Sequence, residues 1–355
     1  MVDTLKNKKG TFLLNDFHLG HELSFLLHDI MTELLVSGEK GNFFIAEINL
    51  EENEYLEYVK DSDDLSSWFE NTKKLENRAK VLKTMVLPAV LSDMLHCIYE
   101  ALETSRKGKL NISYMLVRKP LQESLYLLEE IVLNELDFSD KLAIEPTKLE
   151  SKNAGGVENH KTRIQKVLEI IGESNRLDAS YIAELRYDKT KEDSFDGICN
   201  HAMHLFTNHK AIKTDKFNIN FIFSNEQSKI SQWAYLYSRL PYLLFYTLTI
   251  VEYITASIVS TTQEYLDDMQ RRVSALIILW WDEIDDRYQN KKLEKLVKGT
   301  KQWLHKHCLD SGYKVPIKWN LIKMYKTGAF PNEKKSSFKA RIANYEKQAL
   351  FNAST

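Results

Sequence analysis

The chain has 355 residues, 43% of them hydrophobic and 28% charged, with only 12 glycines and 6 prolines. That composition is globular, long enough to bury a substantial core in two or three packed units, and poor enough in turn residues to favour long helices over a strand-and-turn architecture. The three cysteines, Cys97, Cys199 and Cys308, are odd in number and far apart, which gives no support to a disulfide framework or a CxxC zinc site and fits a reducing cytosol. Met1 to Gly10 and the residues after them lack the apolar stretch of a secretory signal, so a cytoplasmic protein is expected. The net charge of −2 conceals an asymmetry: from Arg287 onward 16 Lys and Arg stand against 4 Asp and Glu, while the preceding residues hold 32 against 46. A basic end of this kind fits nucleic acid, an acidic partner or the protein's own acidic body.

In chain order, apolar residues recur at helical spacing from Leu19 to Leu35, and Ser37-Gly38 then Lys40-Gly41 supply a stop. Phe43 to Ile48 reads as a short strand and the acidic run Glu51 to Asp64 as loosely helical. Arg78 to Ser105 and Asn111 to Leu136 form two long periodic helices parted by Arg106-Lys107-Gly108-Lys109, a pair expected to pack antiparallel. Pro120 either starts the second helix or kinks it. Beyond a loop at Ser151 to Gly156, helical pattern resumes at Glu158 to Ile171 and Asp178 to Arg186. Phe217 to Phe223 alternates with period two and predicts a strand or an ordered extended loop.

Leu240 to Gln263 carries a single charge, Glu252, over a length that would span a bilayer. Its tyrosines and threonines and the mid-span carboxylate are costly in lipid, so it is expected to lie at the centre of a bundle, with Pro241 in its first turn and no membrane contact. Leu266 to Tyr288 follows as a further helix. The expected fold is all-α, a multi-helix bundle with minor β structure at 43–48 and 217–223. It divides into an N-terminal helical unit (1–75), a bundle core (76–290) and a basic, aromatic C-terminal unit (291–355).

The segment Phe195 to Leu205 comes nearest to chemistry. Asn200 and His204, and less directly His201, face one side of a helix from successive turns. His201 and His204 could join His209 or His96 and an acid such as Glu184 or Asp193 at a metal. An HxxH pair without an acidic partner at helical spacing reads instead as a polar face or a hydrogen-bonded core pair, as does His18/His21, so no metal or cofactor is assigned. Cys199 is either a nucleophile beside two histidines or a buried residue in an apolar pattern. There is no glycine-rich phosphate loop and no hydrolase, kinase or dinucleotide fingerprint.

The C-terminal end interleaves Lys301, Lys306, Lys314, Lys318, Lys323, Lys334, Lys335, Lys339 and Arg341 with Trp303 and Trp319. Cations of this sort neutralise phosphates while exposed rings stack on bases. The alternative is a small core in which Trp303, Trp319, Leu321, Ile322, Tyr325 and Phe330 pack together and the lysines are merely solvated.

Cys199-Asn200-His201-Ala202-Met203-His204 is similar to the Arg-to-His nuclease signature of the HEPN family, with Asn200 and His204 in register and Cys199 where the family's Arg stands. The likeness of layout extends over residues 79–260, with Arg118-Lys119-Pro120-Leu121-Gln122-Glu123 in an early helical pair and Leu185-Arg186-Tyr187 ending a third helix. The chain resembles bacterial HEPN-like proteins of unknown function, some of them from phage-defence or toxin systems. The resemblance implies a homodimeric, metal-independent endoribonuclease in a prokaryotic stress or defence setting. His204 would then be the general acid or base, Asn200 would orient a phosphate or the imidazole, and Arg186 or Arg118 would supply charge. Because a cysteine cannot provide a fixed cation, nuclease activity is expected to be weak or absent. The rival expectation is a non-catalytic scaffold, with Asn200 and His204 in a structural hydrogen-bond network and the basic end docked on an acidic partner.

Overall fold

The computed structural model describes residues 11–61, 68–69, 74–347 and 350–351. Among these residues the chain is an all-α multi-helix bundle without strands. In chain order α1 is His18–Lys40, α2 Glu52–Asp61, α3 Leu75–Arg106 and α4 Leu110–Lys119; a π-helical turn, Pro120–Ser124, leads into α5, Leu125–Leu133. There follow α6 (Glu135–Ile144), α7 (Val157–Ile170), α8 (Ala179–Tyr187), α9 (Phe195–Met203), α10 (Glu226–Ala256), α11 (Gln263–Trp281), α12 (Lys291–Asp310), α13 (Lys318–Thr327) and α14 (Lys335–Lys347). Several begin at a side-chain cap, because an Asn or Asp oxygen can accept from amides the first turn leaves unpaired: Asn134 before α6, Asp178 before α8, Asn225 before α10 and Asn290 before α12.

Helix α10 lies at the centre. Every residue from Trp233 to Val251 is buried, the signature of a helix surrounded on all sides, and α1, α4 and α5 pack around it. Its polar groups are accommodated by partners. Tyr237 Oη bonds to His21 Nδ1 and to Ser105 Oγ, each at 2.7 Å. Tyr242 Oη accepts from the Asp178 amide at 3.0 Å, and Tyr246 donates to Glu129 at 2.7 Å. Pro241 stands in mid-helix and not in the first turn. A proline there leaves the carbonyl four residues earlier without its helical donor, and that carbonyl, of Tyr237, accepts instead from Trp280 Nε1 of α11 at 2.7 Å. Gly20 of α1 permits the close approach to the same turn, since a Cβ there would lie 2.7 Å from Tyr237 Cβ.

The α3–α4 pair forms the expected hairpin, closed by Gly108 at φ +69° and by Ser113 Oγ donating to Ala101 O at 2.8 Å. By length and apolarity alone α3 is the one described helix that could cross a bilayer, a test that core helices of soluble bundles also pass. Of the expected stop signals, Lys40-Gly41 ends α1, with Gly41 as its C-cap, while Ser37-Gly38 lies inside the helix, Gly38 being buried under the Phe44 ring. The acidic run is helical over α2; residues 62–64 lie outside the described residues, as does the extreme N-terminus.

Neither predicted β segment is a strand. Residues 43–48 are a turn followed by irregular chain. In 217–223 the alternation points the wrong way for a sheet face: Phe217, Ile222 and Phe223 are exposed, Asn220 is buried, and Phe217 and Phe221 both take φ +60°. Isolated backbone bonds, from Asn220 N to Leu205 O and from Thr214 N to Thr207 O, and side-chain bonds hold this loop in place of a ladder. Asn220 Nδ2 donates to His204 O at 2.9 Å, and Thr214 Oγ1 accepts from Thr207 N at 2.8 Å.

One hydrophobic cluster runs through the molecule from Leu13 to Phe351, and a smaller one joins α11 to α12 and α13 through Leu279, Leu304, Cys308, Leu321 and Met324. Around the second, Asp268 is buried on α11 and accepts from Arg271, Arg272 and Arg341. Part of the basic end is thus tied to an acidic residue of the protein itself.

Candidate functional site

Helix α9 starts buried, at Phe195, Asp196 and Gly197, and ends exposed at Met203 and His204. His204 is the first residue past the helix, its amide bonded to Asn200 O at 3.1 Å and its side chain in solvent. Asn200 is half-buried and turned back along its own helix. Its Nδ2 donates to Asp196 O at 2.6 Å and to Asp196 Oδ1 at 3.0 Å. The same carboxylate oxygen accepts from Gln122 Nε2 at 2.9 Å, and Gln122 also donates to Arg186 O at 2.8 Å. Asn200 therefore belongs to a structural network that fastens α9 to the π-helical turn. His201 faces elsewhere, with Nε2 2.7 Å from Ile212 O.

Arg118, at the end of α4, approaches the exposed end of α9: Nη1 lies 3.5 Å from Met203 Sδ. It has no carboxylate partner among the described residues, and its Nε is sealed from solvent without an acceptor. The structure thus brings Arg118 and the His204 end of α9 to one neighbourhood.

Arg186 is elsewhere. It is fully buried, and its guanidinium donates to Glu129 Oε1, to Leu121 O and to the Tyr187 hydroxyl. Glu129, also fully buried, accepts in addition from Tyr246 and from Arg163, while Arg163 reaches Glu130 at 2.7 Å and lies over the Tyr126 ring at 3.8 Å. Burial alone would push the Glu129 carboxyl up, but Arg186 and Arg163 outweigh it and hold the group down at about 2. Burial also holds the His160 imidazole, stacked on Tyr187 at 3.7 Å, down at about 4, with the two arginines acting in the same direction. As a supplier of charge to a substrate Arg186 is ruled out: it is enclosed and its donors are committed. The π turn contributes directly, because its Leu121 and Gln122 carbonyls accept from Arg186 Nε and, at 3.1 Å, from Tyr187 Oη.

Cys199 is buried, and that burial pushes its thiol far above the ordinary range. A nucleophilic role is excluded, since the thiolate is the reactive form. Of the other histidines, His21 bonds to Tyr237 in the core and is held down at about 4 by burial. Among the described residues no three His, Cys, Asp or Glu side chains converge as metal ligands.

At the basic end Lys301, Lys306, Lys314, Lys318, Lys323, Lys334, Lys335 and Lys339 are exposed, and Trp319 stands 74% exposed. Trp303 is not free to stack on a base: its half-buried ring lies on His307 at 4.8 Å, the next layer being Phe330. Arg341 is likewise engaged, at 3.0 Å from Asp268 and 3.1 Å from Glu333. Sequence reasoning missed the loop after α9, where Phe206, Phe217 and Phe223 are exposed among Lys210, Lys213 and Lys216. The non-glycine left-handed positions that lift Phe217 outward carry no signal in a period-two pattern.

Fold and site together define an all-α bundle protein with a buried carboxylate–arginine cluster and an exposed basic, aromatic end. Comparison with family models, curated proteins and solved structures finds no match to this chain.

Proposed function

We propose that the protein is an RNA-associated helical protein of HEPN-like layout, acting in a prokaryotic stress or phage-defence setting with weak or no nuclease activity. The observation that carries this reading is Trp319, a large ring in solvent on α13, with the exposed Lys323 and Lys326 one and two turns further on the same face and Lys318 beside it. A ring among cations suits single-stranded RNA, because bases of any sequence stack on it while lysines neutralise phosphates. The weak-nuclease part rests on what remains at the end of α9: His204 and Arg118 without Asn200, whose amide is committed to Asp196, and without Arg186. One imidazole and one guanidinium lack the further donors that stabilise a pentacovalent phosphate.

Binding of a fluorescent single-stranded RNA at low salt, titrated against added salt, tests the reading. Removing a stacked ring costs about 1–3 kcal/mol, so Trp319→Ala is expected to weaken binding about five- to hundredfold. Lys323→Ala should flatten the salt dependence by about one counterion. Absence of binding, or binding indifferent to both changes, would move the assignment to a scaffold docked on an acidic protein. Cleavage lost in His204→Ala would restore a nuclease.

A further inference from the structure

A cleft bordering the π-helical turn has a volume of about 770 Å³, within the range of small-molecule sites. It lies between α3, the α4–α5 junction and the chain following α6. Val90, Leu127, Leu142 and Leu149 give it an aliphatic surface between polar and charged side chains, and no aromatic residue lines it among the described residues. Most of its charges are neutralised internally. Lys119 is 2.8 Å from Asp93 and also feels Glu123, and Lys152 pairs with Glu150. Arg118 is the lining cation without a carboxylate partner among the described residues, with a weak thioether contact at Nη1, and Glu123, exposed in the same lining, is the carboxylate in no ion pair among them. Arginine presents a planar fork of donors that matches a carboxylate, and a π-helical turn frequently marks a functional position.

We propose that this cleft binds an aliphatic monocarboxylate, with the carboxylate on Arg118 and the hydrocarbon chain along Val90, Leu127, Leu142 and Leu149. Arg118 offers its guanidinium to a single anionic group, the two lining lysines being paired with Asp93 and Glu150. Among the described residues no ring in the lining offers a nucleobase a surface to stack on, whereas Val90, Leu127, Leu142 and Leu149 suit an acyl chain. The cleft does not include Trp319 or the lysines around it, but it shares Arg118 with the residues that remain at the end of α9.

Isothermal titration of the full chain with decanoate, inorganic phosphate and adenosine monophosphate decides the matter. Saturable binding of one decanoate is expected, weakened at least tenfold in Arg118→Gln, retained in part in Arg118→Lys, and lost in Ala89→Trp, which places a bulky ring at an exposed position of the cleft wall. Neither Arg118 nor Ala89 takes part in an ion pair or the core, and circular dichroism confirms that each variant is folded. No decanoate binding, decanoate binding unchanged in Arg118→Gln and Ala89→Trp, or tighter Arg118-dependent binding of the nucleotide or of phosphate would each overturn the proposal.

Discussion

Replacing Glu129 by glutamine removes a negative charge from the place where the fold has gathered the most buried positive charge. Arg186 and Glu129 are both fully buried, and Arg163 is nearly so. Glutamine keeps the side chain's size and can still accept from Tyr246, but it leaves two guanidinium groups facing a neutral amide. Breaking a buried pair from one side costs about 3–5 kcal/mol, because an uncompensated charge remains inside. The proton linkage gives a comparable figure. The Glu129 carboxyl, ordinarily near 4.5, is held at about 2 in the fold, and a difference of that size corresponds to about 3 kcal/mol. The folded value is the lower one, so this stability is fully present above about pH 5 and is lost as pH falls toward 2. Urea unfolding of wild type and Glu129→Gln at pH 7 and pH 3 is the assay. The variant is expected to lose about 3–5 kcal/mol at pH 7, a large part of the ~5–15 kcal/mol typical of whole domains, and the gap should narrow at pH 3. Because the comparison is a difference, other groups that titrate over this range cancel. The double variant Glu129→Gln/Arg186→Met should recover part of the loss, since it removes the stranded charge as well. A gap below 1 kcal/mol at pH 7, or one that does not change with pH, would refute the account of the cluster.

Glu252 presents the opposite sign. Burial pushes its carboxyl up to about 7, against the pull of Arg176; a folded value above the unfolded one means stability present below about pH 4.5 and lost as pH rises through 7. Glu252→Gln should therefore match wild type at pH 4.5 and exceed it at pH 8 by on the order of 1–3 kcal/mol, a range discounted because the side chain partly meets solvent; equal urea midpoints at pH 8 would contradict this. Gly328, at φ +69°, lies against the Asp268 carboxylate, and its carbonyl accepts from Arg271 and Arg341. Gly328→Ala imposes both a left-handed strain and a clash there, with an expected cost of about 1–3 kcal/mol. Hydrogen exchange should show α14 deprotected while α10 is unchanged; unaltered protection of α14 would count against the Asp268 cluster as its tether.

Much of the helical architecture was legible because helical spacing of apolar residues reports which face is buried, whatever covers it. The periodic runs beginning at Leu19, Arg78, Asn111, Glu158 and Asp178 all became helices. The unbroken apolar run after Leu240 became the central one, since a helix without a polar face has to be enclosed. Errors arose where a local signal depends on a distant partner. Pro241 suits a helix start but stands in mid-helix, where Trp280 supplies the missing donor; of the two stop signals only Lys40-Gly41 ends α1, because Phe44 covers Gly38; and the alternation at 217–223 belongs to a loop that turns Phe217 and Phe223 outward.

The candidate site divides in the same way. Helical spacing placed Asn200 and His204 on one face of a helix, whereas Asn200 is turned back onto Asp196 and His204 is the first residue past the helix; composition alone located the basic terminus. Whether Arg186 faced a substrate or Glu129 and whether Arg118 found a carboxylate were settled by residues far away in the chain, and Asn200, held by Asp196 one turn earlier, is fixed through Gln122 of a distant segment. Periodicity is a property of one segment and survives in the sequence. The pairing of buried charges is a property of contacts between segments, decided by which side chains the packed helices bring within a few ångströms of each other, and only the tertiary structure contains it.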